Sequence, residues 1–254
     1  MAKQVVITRP LAQSTLLANR VHALGHPVVV LPLLEITPLL DSSALNLALN
    51  DLSSYVMVAF VSPNAVDAVF SRLAKWPDGL AIAVMGEGSR QALAAYGITD
   101  TCATILSPSD PERTDSETLL QVLDLAYLRE KKVLIVRGES GRELLADALR
   151  SHRVEVTQLA AYRRSAPKLD DALRAQLSSL LETQSDWIVT SSEALRILIS
   201  VVTELGLEQG VEKIQRQRMI VPHIRIAETA RAMGFCHVCL TGSGDERLLA
   251  ALQS

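Results

Sequence analysis

The sequence predicts an α/β fold made of two similar doubly wound domains, each with a parallel sheet. Two observations predict it. The segment from Lys3 to Ile36 returns as Lys131 to Arg164, and a short apolar strand, a small or polar turn and an amphipathic helix recur along the chain. The strand runs are apolar throughout rather than alternating. Strands of that kind are typical of parallel sheets that helices cover on both faces.

The repeat pairs strand with strand and turn with turn. Val5 aligns with Val133, Ile7 with Ile135 and Arg9 with Arg137. A second pair follows, in which Tyr55 to Leu106 resembles Ser185 to Thr241. Solenoid repeats have periods of about 20 to 50 residues, so this longer repeat indicates two related domains. A ligand is expected in the cleft between them.

Each predicted strand precedes a turn and a helix. In chain order the strand runs begin at Gln4, Met57, Ala81, Lys132, Asp186, Met219 and His237. After the first run, Leu16, Leu17, Val21 and Leu24 are expected on one apolar face of a helix.

The four repeat pieces can be arranged in two ways. Neighbouring pieces can pack together, or the two middle pieces can form an inner domain while the first and last form an outer one. The stretches Leu33 to Leu39 and Ala160 to Pro167 read as extended linkers, because each contains a proline that disfavours helix before it. If both linkers cross between domains side by side, the second arrangement results.

Composition excludes several classes of protein. The formal charge is −3 with acids and bases interspersed, which argues against a nucleic-acid binder. No apolar run approaches the ~20 residues that span a bilayer, and there is no signal peptide, so we expect no membrane partner and a cytoplasmic location. Cys236 and Cys239 have the spacing of half a zinc site, but no second half follows, and we expect both to be small buried residues on a strand. No metal site is predicted.

The order of several motifs identifies a family. ITRP at Ile7, FVSPNAV at Phe60, VMGEGSRQAL at Val84, VLIVRGESGRELLADAL at Val133 and AAYRR at Ala160 together resemble uroporphyrinogen-III synthase. The resemblance covers essentially the whole chain. It departs from the family at residues 222–226, where a Gly-Pro-Thr-Thr-like turn is replaced by PHIRI.

The resemblance implies an inner domain over residues 40–160 and an outer domain from residues 1–36 and 166–254. It implies that a two-stranded linker joins them, with its strands near 33–39 and 160–167. It implies a monomeric lyase that closes the small-molecule linear tetrapyrrole hydroxymethylbilane to uroporphyrinogen III, with inversion of the last pyrrole ring and loss of water. No metal or organic cofactor is implied.

The family places a tyrosine at Tyr162, beside the linker, and this residue is the candidate catalytic proton donor. The alternative is an aromatic residue that packs the domain junction.

The turns after the strands are the candidate substrate carboxylate sites, since helix N-termini bind anions. Each turn alone is equally explained by helix capping; as a set, two or three are expected to bind. The candidate binding residues are Arg9, Ser62, Asn64, Gly86, Ser89, Arg137, Gly138, Glu139, Thr190, Ser191, Ser192 and Arg225.

Arg9 and Arg137 occupy equivalent strand ends and suit carboxylates. Their alternative role is a structural ion pair, for which Glu35 and Glu139 are the expected partners. Two other functions stay open: a cytoplasmic two-domain protein that binds an anionic small molecule, and a nucleotide-sugar transferase, for which no Asp-x-Asp is present.

Overall fold

The computed structural model describes residues 2–109, 116–141 and 143–253. Its contacts divide the chain into two compact units: unit 1, Met1–Glu35 with Ser165–Ser254, and unit 2, Ile36–Arg164. Unit 2 is one continuous stretch of chain, whereas unit 1 is built from both ends.

The strands form two sheets, one in each unit. In chain order they are β1 (Gln4–Ile7), β2 (Val28–Val30), β3 (Glu35–Pro38), β4 (Met57–Phe60), β5 (Ala81–Val84), β6 (Ile105–Leu106), β7 (Lys132–Gly138), β8 (Glu155–Ser165), β9 (Ser185–Ile188), β10 (Arg218–Val221) and β11 (His237–Leu240). The sheet of unit 1 has the order β11-β10-β9-β1-β2, and that of unit 2 the order β3-β8-β7-β4-β5-β6. The first and last repeat pieces therefore share one sheet, and the middle two share the other.

Helices connect the parallel strands. They are α1 (Leu11–Ala23), α2 (Ser43–Asn50), α3 (Pro63–Phe70), α4 (Glu87–Ala95), α5 (Ser116–Val122), α6 (Leu125–Leu128), α7 (Leu144–Ser151), α8 (Asp171–Leu181), α9 (Ser192–Leu205), α10 (Gly210–Gln215), α11 (Ile224–Ala232) and α12 (Asp245–Ala250). The run RELLADAL after β7 begins with Arg142, a residue outside those described. Of the apolar face predicted for α1, Leu17 and Val21 are buried, whereas Leu16 and Leu24 are exposed, so the prediction was wrong for those two.

Both faces of the unit 1 sheet are covered. Val6, Trp187 and Val221 face a core completed by α8, α9, α10 and α11, and Val5 and Ile7 face a second core completed by α1 and α12. Val5, Val6 and Ile7 are all fully buried. Burial of such a side chain is worth about 1.5–3 kcal/mol, so the continuous apolar run reflects two-sided burial.

Unit 2 repeats this layering. Val58, Phe60 and Val136 pack with α3 and α4 on one face, while Met57 and Ile135 pack with α5, α6 and α7 on the other. The pairings of β4 with β5 and β7, and of β7 with β8, are parallel. The predicted fold class, α/β with doubly wound parallel sheets, is confirmed.

The extended stretch Leu33 to Leu39 contains the edge strand β3, which is the neighbour of β8 in the unit 2 sheet. Strand β8 includes most of the other predicted linker, Ala160 to Pro167. The chain thus passes from one unit to the other along two neighbouring strands.

Candidate functional site

The carboxyl ends of parallel strands meet at one edge of a sheet, which is where open α/β folds bind ligands. In unit 2 this edge contains Ser62 after β4, Gly86 after β5, Gly138 at the end of β7 and Tyr162 near the end of β8. In unit 1 it contains Arg9 after β1, Thr190 after β9 and Arg225 after β10. Each edge is described separately.

Tyr162 lies in β8 and is only 5% exposed. Its ring packs in the core of unit 2, and its hydroxyl oxygen is 2.8 Å from Oγ of Ser62. Ser62 is the N-cap of α3, since its Oγ accepts a hydrogen bond from the N–H of Ala65 at 3.1 Å. The structure therefore joins the candidate proton donor to one of the candidate turn residues.

Gly138 lies directly against the Tyr162 ring. The β7–β8 register shifts between Arg137 and Gly138, which places Gly138 opposite Tyr162. A methyl group on Gly138 would lie 3.1 Å from Cε2 and Cζ of Tyr162 and 3.2 Å from its hydroxyl oxygen. The ring and its hydroxyl thus occupy space that any larger residue at position 138 would need.

Glu139 and Ser140 are hydrogen-bonded to residues at the end of β8. The N–H of Glu139 donates to the carbonyl of Tyr162 at 2.9 Å. Arg163 donates from Nε to Oε2 of Glu139 at 2.6 Å and from Nη2 to Oε1 at 2.9 Å, and Arg164 donates to the carbonyl of Ser140 at 2.9 Å. The hydrogen bonds from Arg163 lower the pKa of the Glu139 carboxyl below its usual value.

Arg137 is buried at the end of β7 and has two partners. Nη1 donates to Glu143 and, at 2.7 Å, to Oε1 of Gln158. Nε2 of Gln158 donates to Oε2 of Glu143 at 2.5 Å, and this bond is the largest cause that lowers the pKa of Glu143, followed by the one from Arg137. The expected partner, Glu139, instead binds Arg163. The reason is that β7 continues through Gly138, so Glu139 lies beyond the sheet at an exposed position.

The other candidates of unit 2 lie on two adjacent helix N-termini. Asn64 is in the first turn of α3, and Gly86 is the N-cap of α4. Ser89 is buried in the first turn of α4, where its N–H donates to the carbonyl of Gly86 at 3.1 Å. A methyl group on Gly88 would be 3.5 Å from Cγ of Pro63, so the two N-termini are neighbours.

Arg9 pairs with Asp245, and not with the expected Glu35. Nη1 of Arg9 is 2.7 Å from Oδ1 of Asp245, which is the first residue of α12. Helices α1 and α12 pack on the same face of the unit 1 sheet, with Leu17, Val21, Leu248 and Leu249 in one core. That packing brings the end of the chain to Arg9, whereas Glu35 begins the edge strand β3.

Ser191, Ser192 and Arg225 are connected at the unit 1 edge. Ser191 is the N-cap of α9 and accepts from the N–H of Ala194 at 3.0 Å, and Thr190 precedes it. The hydroxyls of Ser192 and Thr229 are 3.0 Å apart, and that of Thr229 donates to the carbonyl of Arg225 at 2.7 Å. Thr229 of α11 therefore contacts the first residue of α9.

The atypical PHIRI turn forms a helix cap of its own. His223 is buried and is the N-cap of α11, where its Nδ1 accepts from the N–H of Arg225 at 3.2 Å. An imidazole thus performs the capping role that a hydroxyl residue usually has. The side chain of Arg225 is half-buried in the first turn that follows.

Both cysteines of the CxxC sequence were expected to be buried, and this expectation was wrong. Cys236 is exposed, because it precedes β11, and Cys239 on that edge strand is half-buried. Within residues 2–109, 116–141 and 143–253, no group of three or more His, Cys, Asp or Glu could hold a metal ion. In the same ranges, none of the helices is long and apolar enough to cross a membrane.

Comparison with known proteins decides the family. Residues 16–243 match the family model described as uroporphyrinogen-III synthase HemD. The chain is 32% identical to the uroporphyrinogen-III synthase of Escherichia coli (strain K12) over 98% of its length and 99% of that protein. It is 31% identical to that of Salmonella typhimurium, again over 98% and 99%. The chain belongs to the uroporphyrinogen-III synthase family.

Solved structures of family members have the same fold. Uroporphyrinogen-III synthetase from Helicobacter pylori aligns over 99% of this chain and 98% of its own with a TM-score of 0.64 and 15% identity. A mutant uroporphyrinogen III synthase from Thermus thermophilus aligns over 99% and 96% with a TM-score of 0.60 and 16% identity. At such identities the likeness supports the fold alone.

Sequence reasoning missed several residues that hold the candidate site together. Arg163 binds Glu139, Asp245 binds Arg9, and Thr229 meets Ser192. Two of them lie next to a recognisable sequence motif. Arg163 follows Tyr162 in the AAYRR motif of the family, and Asp245 follows a Gly-rich turn. Thr229 lies within α11, where a hydroxyl residue gives no such signal.

Proposed function

We propose that this chain is a uroporphyrinogen-III synthase, which cyclises hydroxymethylbilane to uroporphyrinogen III with inversion of the terminal pyrrole ring and loss of water. It would be a lyase of tetrapyrrole biosynthesis, cytoplasmic and monomeric. The observation that carries the proposal is the 32% identity to the Escherichia coli enzyme across nearly the full length of both chains. No metal or organic cofactor is part of the proposal, because the pyrrole rings themselves supply the electrons.

The reaction needs a proton donor and a shaped site. Loss of the hydroxyl leaves an electron-poor azafulvenium, which the terminal pyrrole attacks at its already substituted carbon. The resulting spiro intermediate breaks and closes again with the ring reversed. A site that holds the chain in the spiro geometry selects this route over direct closure.

We assign the proton donor to Tyr162, because protonation makes the hydroxyl a better leaving group. Its position near the carboxyl end of β8, with its oxygen 2.8 Å from Ser62, supports this assignment. The burial of its ring supports a fixed orientation of the phenol, which a donor requires.

The eight substrate carboxylates call for several anion-binding groups. We propose that the helix N-termini at Ser62, Asn64, Gly86 and Ser89 hold some of them in unit 2, together with the adjoining turn that contains Gly138 and Glu139. In unit 1 we propose the turn Thr190, Ser191 and Ser192, with the guanidinium groups of Arg9 and Arg225. Arg137 remains a predicted binder, although Glu143 and Gln158 occupy its Nη1.

A coupled assay tests the proposal. Hydroxymethylbilane is made in situ, the purified protein is added, and the products are oxidised and separated as porphyrin isomers. We expect mainly type III. Type I alone, the product of spontaneous closure, would refute the proposed function and would favour a protein that only binds an anionic ligand.

A further inference from the structure

The groups around Tyr162 predict the direction of its hydrogen bond. Ser62 Oγ accepts from the N–H of Ala65 at 3.1 Å and lies 2.8 Å from the phenol oxygen. A serine hydroxyl has one proton and two acceptor lone pairs. Because the amide of Ala65 occupies one lone pair, the proton of Ser62 is available to Tyr162.

Two physical effects favour donation from Ser62 to Tyr162. A hydroxyl that accepts a hydrogen bond is polarised and becomes a better donor. Ser62 also caps the N-terminus of α3, where the helix dipole is positive. The bonds then run in one direction, from Ala65 N–H through Ser62 to the phenol oxygen. The phenol proton is left to be given to another acceptor.

The packing of Gly138 fixes the ring in that position. The backbone of Gly138 is not in the left-handed region, so its conformation alone does not require glycine. The available space requires glycine, because a methyl group there would lie 3.1–3.2 Å from three atoms at the hydroxyl end of Tyr162. The ring would have to move by tenths of an ångström, and the contact with Ser62 would be lost or weakened.

We infer that Ser62 and Gly138 are positioning residues for Tyr162: Ser62 donates to the phenol oxygen, and Gly138 leaves the room that keeps the phenol in place. This inference rests on the proposed function. In the step concerned, the Tyr162 O–H bond breaks and its proton binds the leaving hydroxyl oxygen. The C–O bond then breaks with its electron pair on that oxygen, and water leaves. The phenolate is stabilised by Ser62. It regains a proton after the spiro intermediate has broken and closed again, when the reversed pyrrole loses the hydrogen of its newly bonded carbon and becomes aromatic again.

The first test compares Ser62→Ala, Tyr162→Phe and the double variant in kcat and KM for type III formation. Loss of a hydrogen bond to a charged group lowers rates by about 10- to 100-fold, so we expect Ser62→Ala to lower kcat by this factor. The double variant should have the same kcat as Tyr162→Phe alone, since Ser62 affects the chemical step only through the phenol. Ser62→Thr, which keeps the hydroxyl and the cap, should restore kcat.

Capping alone would give a different result. Asp124 caps α6 in the same unit by accepting from the N–H of Tyr127 at 2.9 Å, so Asp124→Ala removes a cap without touching Tyr162. We expect it to lower the thermal midpoint but to leave kcat unchanged. If Ser62→Ala lowers the midpoint without lowering kcat, or if its effect multiplies with that of Tyr162→Phe, the inference about Ser62 is wrong.

The second test is Gly138→Ala, with Gly210→Ala as the matched control. A methyl group on Gly210, in α10, would meet its nearest side chains at an ordinary 3.4 Å. We expect Gly138→Ala to lower kcat by about 10-fold or more, as loss of the Ser62 bond does, and Gly210→Ala to leave kcat unchanged. Normal kcat in Gly138→Ala would contradict the positioning role of Gly138.

These outcomes are distinct from failure of the proposed function. If the unmodified protein forms no type III product, the function is wrong before any variant is compared. If it forms type III and the variant effects simply multiply, the function stands and the positioning inference is overturned.

Discussion

Arg9 and Asp245, which lie near opposite ends of the sequence, form an ion pair with 2.7 Å between Nη1 and Oδ1. Arg137 occupies the equivalent strand end in the other repeat, but it is held by Glu143 and Gln158 together. In the Arg9 pair, 16% and 29% of the two side chains are exposed, whereas Arg137 is 10% exposed and its partner Glu143 is 53% exposed. Two arginines with one origin in the repeat thus have different surroundings.

This difference predicts unequal effects of substitution. Arg9→Gln should raise KM for hydroxymethylbilane by about 10- to 100-fold, as expected for loss of a charge-assisted hydrogen bond to a carboxylate. Arg137→Gln should mainly lower the free energy of unfolding, by about 0.5–1.5 kcal/mol, because it removes hydrogen bonds of a buried side chain whose partner Glu143 is exposed. Steady-state kinetics and denaturant unfolding of both variants make the comparison.

Arg20→Gln is the control for loss of one positive charge. Arg20 pairs with Glu246 on the surface of unit 1 at 2.5 Å, with 44% and 81% of the two side chains exposed. We expect little change in either quantity. If Arg137→Gln instead showed a large rise in KM and normal stability, Arg137 and not Arg9 would be the main arginine that binds the substrate.

Tyr162→Phe should lower turnover by about 10²–10⁴-fold, the usual contribution of a positioned acid. Activity should not vanish, because the substrate is intrinsically reactive and the site still positions it. The product should remain type III, since ring inversion depends on the shape of the site. A variant that releases mainly type I would instead show that Tyr162 shapes the spiro intermediate, and a normal rate would make it purely a packing residue.

The pair of Glu139 and Arg163 predicts a dependence of stability on pH. The pKa of Glu139 is lowered in the folded protein, so its contribution is fully present above the ordinary carboxyl value and is lost as the pH falls through the lowered one. Glu139→Gln should therefore have a lower thermal midpoint than the unmodified protein at pH 7, and the difference should shrink and vanish as the pH falls through the lowered pKa of Glu139.

The size of that difference should be small, because both side chains are nearly half exposed. Glu117→Gln, at an exposed carboxylate of α5 in the same unit, serves as the comparison. A midpoint difference that persists unchanged in acid would exclude the ion pair as its source.

Removal of metals should leave activity unchanged. In the part of the chain that the structure describes, no cluster of potential ligands exists, and Cys236 and Cys239 lie on and before an edge strand without a second pair. Activity should be measured after dialysis against a chelator, with and without added zinc. Loss of activity that zinc restores would overturn this prediction.

The sequence predicted those features for which a single local physical cause determines the residue type. Val5, Val6 and Ile7 are apolar in succession because helices cover both faces of β1. Such a run predicts a buried strand even when the neighbouring strands are not known. Likewise, Ser62 and Ser191 are caps because a hydroxyl before a helix satisfies its first N–H groups. These local signals, together with the repeat, were enough to predict the fold class.

Pairings between distant side chains could not be predicted in the same way. The partner of Arg137 depends on where β7 ends and on the shifted register that places Gly138 opposite Tyr162. The partner of Arg9 depends on α12 packing beside α1. Neither feature gives a periodic pattern in the sequence. The predicted partners, Glu35 and Glu139, have the right charge, but the structure pairs Arg9 with Asp245 and Arg137 with Glu143. The contact of Tyr162 with Ser62 joins residues that are likewise far apart in sequence.

The place of β1 in its sheet has a consequence for synthesis on the ribosome. Strand β1 is made first, but it lies between β2 and β9, and β9 begins only at Ser185. At a translation rate of about 5–20 residues per second, β9 is synthesised on the order of ten seconds after β1. During that time the unpaired edge of β1 can pair with other nascent chains. Unit 2 is complete before β9 emerges. Translation that stops shortly after residue 164 would therefore release a folded unit 2 carrying an aggregation-prone pair of strands, so this protein should depend on chaperones that bind its first thirty residues or so.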